Sequence, residues 1–89
     1  MGERKVELIE ENPGFNQQEY IDKYWIIRLS IDLVEQILLI PTEIAQAQKK
    51  SGEMWFIVAA RILANYFPEK RGRIVWNRLT KKVEDAESL

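Results

Sequence analysis

Eighty-nine residues, 46% hydrophobic and 30% charged, are enough for one globular domain and too few for two cores. The absence of cysteine and histidine excludes disulfides, thiolate or imidazole metal sites, and every Ser-His or Cys-His catalytic pair. The net charge of −1 hides an asymmetry, because residues 1–45 carry four basic and nine acidic side chains and residues 46–89 nine basic and five acidic. That distribution suits a protein that turns one face to a polyanion, or one whose halves pair with each other or with a second copy.

At the N-terminus, Val6-Glu7-Leu8-Ile9 reads as a short strand or a frayed turn, and Asn12-Pro13-Gly14 marks a turn. Asn16 followed by Glu19 is an N-cap with its capping-box partner, which predicts a helix starting there. Apolar residues then recur at 20, 21, 24, 27, 31, 34, 37 and 38, a helical spacing with a broad face that predicts one long helix over 17–40. Pro41 ends it. Thr42 is the natural N-cap of a second helix from Glu43 to about Lys50, and Ser51-Gly52 breaks that helix. A third helix runs from Met54 to about Ala64.

The last third admits two periods. Arg73 to Thr80 reads as a strand over 73–79, rich in β-branched and aromatic residues, or as a helix with Val75, Trp76, Leu79 and Val83 on one stripe. The strand is preferred, and Lys81 to Leu89 is left as a charged tail. The domain expected from these elements spans 16–83, between an N-terminal extension (1–15) and a tail (84–89).

Pro41-Thr42-Glu43-Ile44-Ala45 resembles the opening of the second helix of winged helix-turn-helix domains, and Ser51-Gly52 stands at their turn into the recognition helix. Gly72-Arg73-Ile74-Val75-Trp76-Asn77-Arg78-Leu79-Thr80 is similar to the second wing strand of MarR- and ArsR-like regulators. Tyr66-Phe67 would fall on the first wing strand and Glu69 to Gly72 at the wing tip. The resemblance implies a mainly α fold with a small C-terminal β-hairpin and a homodimeric, double-stranded-DNA-binding regulator. Lys49, Lys50, Ser51 and Arg61 would lie on or beside the helix-turn-helix, and Lys70, Arg71 and Arg73 would tip the wing against phosphates. Two departures stand against it: Arg61 is the only basic residue of the candidate recognition helix, and Asn77 falls where a wing strand presents an apolar side chain.

The alternative is an all-α four-helix bundle acting as a protein–protein interaction or assembly module, with helices at 17–40, 42–50, 53–66 and 69–83. Trp25, Trp55, Phe56 and Trp76 would be its core or interface anchors. On either reading Trp25, Leu29, Phe56 and Ile57 are candidates for a dimer or partner interface. No catalytic set, metal site, cofactor or small-molecule substrate is expected. Nor is a membrane span, since the longest apolar run, Met54 to Ala60, is far below about 18 residues. The expected compartment is the cytoplasm.

Overall fold

A computed structural model describes residues 4–70 and 74–85. The chain forms a five-stranded mixed sheet with two α-helices on one of its faces. The strands are β1 (Glu7–Glu10), β2 (Tyr24–Ile31), β3 (Val34–Pro41), β4 (Ile74–Asn77) and β5 (Lys82–Asp85). The helices are α1 (Thr42–Gln48) and α2 (Trp55–Tyr66), with single 3-10 turns at Gln17–Glu19 and Pro68–Lys70. Across the sheet the order is β1-β3-β2-β5-β4, and every pairing is antiparallel except β2 with β5.

This architecture overturns the mainly α expectation in both its forms. The predicted helix over 17–40 is a β-hairpin, with β2 and β3 paired from Tyr24↔Pro41 to Ile31↔Val34. Without that helix there is neither a four-helix bundle nor a helical dimer seam. The physical reason lies in two-sided burial. Leu29, Ile31, Leu38 and Ile40 face the helices, while Ile37 and Leu39, on the other face, are buried as well. A strand covered on both sides shows a continuous apolar run instead of alternation, and such a run mimics a buried helix. The segment between β1 and β2 crosses that second face: Gln17 accepts a hydrogen bond from Arg28, and Tyr20 meets Tyr24 edge-on. Asn16 does cap, through Gln18 N–H, but what it caps is one 3-10 turn.

The hairpin was also hidden by its turn. Asp32 and Leu33 both have positive φ, 55° and 62°, as a two-residue type I′ turn requires, yet neither is glycine. Leu33 is fully exposed, so no packing offsets its left-handed backbone. Leu33→Gly removes that strain, and part of the gain is returned as the greater freedom of unfolded glycine. The expected net is a stabilisation of about 0.7 kcal/mol, seen as a melting temperature higher by about 4 °C.

The winged-helix resemblance fails at the C-terminal third. Tyr66 is the last residue of α2 and no strand forms at Phe67, so the proposed first wing strand does not exist. The strand preferred over 73–79 is present as β4, but it pairs with β5, within the residues read as a charged tail. Asn77 is a turn former: its side-chain oxygen accepts the Leu79 N–H at 2.9 Å, and its amide donates to Glu84. The two later helices were placed closely. α1 begins at Thr42 itself, with Pro41 as N-cap, and the Thr42 N–H donates to the Lys23 carbonyl at 3.0 Å.

The main core joins Leu29, Ile31, Leu38, Ile40 and Val83 of the sheet to Ala45 of α1 and Val58, Ile62 and Leu63 of α2. Gly52, at φ 82°, turns the chain between the helices in a conformation that L side chains resist.

Candidate functional site

β5 pairs with β2 only at Leu29 and Ser30. Among the described residues, the earlier part of β2, which carries Trp25 and Ile27, therefore has no strand on that side. Aromatic side chains close over the gap instead. Trp55 meets Trp25 edge-on, with ring centroids 4.1 Å apart, and Phe56 stacks on Trp76 at 6.1 Å. Together with Ile27 and Met54 they line an open, almost wholly apolar groove of about 380 Å³. All three tryptophans of the chain, from β2, α2 and β4, meet there.

A second depression of about 370 Å³ continues it between α2 and β4, sharing Phe56 and Trp76 and adding Ile57, Ala60, Ile74 and Arg78. Among the described residues β4 is the last strand of the sheet, so one row of its backbone donors and acceptors faces outward beside this depression. Met54, Trp55 and Ile57 are 57%, 44% and 43% exposed, which makes the lining a continuous apolar surface open to water.

The charges nearby are cationic. Lys49 holds its ammonium over the Trp55 ring, 5.1 Å from the centroid. Arg78 lines the opposite end. Among the described residues neither has a carboxylate partner: the ion pairs are Arg4–Glu43, Arg28–Glu11, Arg61–Glu53 and Lys82–Glu35.

The described residues that were expected to contact DNA are not presented by a helix-turn-helix. Arg61 binds the carboxylate of Glu53 and the Gln48 carbonyl, and so ties down the loop between the helices. Lys50 and Ser51 are exposed in that loop, and the Lys50 backbone N–H donates to Glu53. Lys70 ends a 3-10 turn, while Arg71 and Arg73 lie outside the described residues. The helix expected to enter the major groove, α2, turns Trp55 and Ile57 outward, and neither offers the bidentate hydrogen bonds that discriminate base pairs. DNA binding thus loses the winged-helix fold on which it was expected. Of the interface candidates, Trp25, Phe56 and Ile57 line the two depressions, while Leu29 is fully buried in the core. Met54 and Arg78 were not foreseen, and no local spacing in the chain marks them.

Comparison with protein-family models, curated proteins and solved structures finds no match. The groove is therefore read from its own chemistry. Among the described residues no helix is long and apolar enough to cross a membrane.

On the face of the sheet away from the helices, the part near the β2–β3 turn carries a polar cluster. Lys82 donates to Glu35 at 2.7 Å across β2, and the Ser30 hydroxyl donates to the other Glu35 oxygen at 2.8 Å. These bonds, the lysine's first, hold the Glu35 carboxyl below its ordinary value, and Glu35 in turn raises Lys82. A lowered carboxyl stabilises the fold above its unfolded pKa and loses that contribution as pH falls through the folded value. A raised ammonium contributes below its unfolded pKa and loses it as pH rises through the folded value. Urea midpoints should therefore be flat at neutral pH and decline towards both strong acid and strong alkali. In Glu35→Gln both declines shrink by about 0.5 kcal/mol, the scale of an exposed pair.

Proposed function

We propose that this protein is an interaction module that holds an extended, apolar segment of a protein partner along the tryptophan-lined groove. The observation that carries the proposal is the convergence of three tryptophans and Phe56 in an open apolar groove, close to the edge of β4 that no described strand covers. Folded monomers seldom leave a contiguous apolar patch uncovered, and large aromatic side chains in pockets dominate binding energy at protein interfaces. An added strand would satisfy the outward backbone groups of β4, and alternate side chains would enter the depression between β4 and α2. Main-chain hydrogen bonds then supply affinity, and the pockets supply selectivity. Helix insertion into duplex DNA has no part in this mode.

The three tryptophans make the groove its own reporter. Peptides selected from a random display library on the immobilised protein should be extended, with apolar residues at alternate positions. Each should shift the tryptophan emission saturably and slow hydrogen exchange at β4 amides. Selected peptides that bind without changing either signal would place the interaction elsewhere and overturn the proposal.

A further inference from the structure

Each of the three tryptophans in the groove has a cation beside it. Lys49 lies over Trp55, and Arg78 shares with Trp76 the depression next to β4. Arg78 and Lys81 begin and end the turn between β4 and β5. Lys81 borders Trp25 in a third depression, of about 320 Å³, that opens on the other face of β2. Arg28 lines that depression too, but it is paired with Glu11. Lys49, Arg78 and Lys81 have no carboxylate partner among the described residues. Nor, among those residues, does any Asp or Glu line one of the three depressions. The carboxylates close by in the chain are engaged elsewhere: Glu53 is held by Arg61, and Glu84 by Asn77 and Thr80.

We infer that the protein segment held in the groove is acidic at its flanks, an extended apolar core with Asp or Glu before and after it. This rests on the groove acting as a capture site for a protein segment. An apolar core seated against the tryptophans displaces water from the cations around them. A cation dehydrated without a counter-charge costs free energy, and the cost grows with its burial. Carboxylates on the segment offset that cost and are attracted by Lys49, Arg78 and Lys81, whereas lysines or arginines there meet like charges. Neutral flanks leave the cations unpaired. The tryptophans thus set the affinity for the core, and the cations set which flanks are accepted. The same cationic rim speeds encounter with acidic segments. A bilayer fits less well, because Ile27, Phe56 and Trp76 are half-buried in a concavity that a flat surface does not enter.

The test starts from peptides selected on the unmodified full chain from a random display library. Those that shift the tryptophan emission should be enriched, relative to the starting pool, in Asp and Glu on either side of the apolar core. Changing these flanking carboxylates to Asn or Gln should weaken binding about fivefold, a difference that fades as salt rises towards about 1 M. On a chain carrying Lys49→Gln, Arg78→Gln and Lys81→Gln, with folding checked by circular dichroism, the same peptide change should make no difference. On a chain carrying Lys5→Gln and Lys23→Gln, at exposed positions outside the three depressions, the fivefold effect should persist. If Lys49→Gln impairs folding, Arg78→Gln with Lys81→Gln, both at exposed positions, serves in its place. Peptides that shift the emission but carry the charge of the starting pool overturn the inference and leave segment capture standing. No binders, or binders that leave the emission unchanged, overturn both. Vesicles of phosphatidylglycerol that shift the emission as far as the peptides do make the groove a membrane-docking surface, which also overturns the inference.

Discussion

Leu29→Ala should lower the free energy of unfolding by about 3 kcal/mol, measured by urea denaturation with the slope unchanged. Leu29 is fully buried in β2, the strand flanked by β3 and β5, with Gln36 and Val83 as its cross-strand partners. Truncation leaves a void beneath α2, where rigid neighbours on the sheet and the helix relax only partly. For a domain of this size the loss is a large share of the total stability. Ile57→Ala provides the contrast. Its side chain is 43% exposed, so its effect on stability should stay within about 0.5 kcal/mol. A loss below about 1 kcal/mol for Leu29→Ala would show that the sheet–helix interface is not the main core.

Trp55→Ala should weaken capture of a groove ligand by about 30-fold, or about 2 kcal/mol, while the unfolding free energy changes far less. Trp55 is 44% exposed in the unbound chain, so little of its surface stabilises the fold. Yet it packs edge-on against Trp25, and Lys49 sits over it, so its loss removes one wall of the groove and a partner of the flanking cation. Titration calorimetry separates the two quantities, because it does not depend on the fluorophore that has been deleted. Unaltered affinity in Trp55→Ala would remove this groove from the binding site.

The parts of the fold that could be read from the chain are those with local punctuation. Pro41 ends one element and starts the next, Gly52 breaks the helices apart, and Pro68 follows the end of α2. β1 and β4 were recognisable as apolar, β-branched stretches, each with a rival assignment. β2 and β3 were not, because residues 37–41 are buried whichever way they point and Asp32-Leu33 lacks the residues that announce a hairpin. β5 was hidden for the opposite reason. Val83 enters the core, while Lys82 and Glu84 face polar neighbours, Glu35 and Asn77. The aromatic anchors were named correctly as residues, but their meeting place depends on where a parallel strand stops, which no local pattern records.

That parallel strand also sets an order of events during synthesis. β5 enters the sheet between β2 and β4, so β2 keeps an open side until residues 82–85 have left the ribosome. The early hairpin must wait through both helices with that side bare, and contacts so far apart in sequence close slowly. Nascent chains stalled before residue 82 should therefore be the species that chaperones bind and that aggregate most readily.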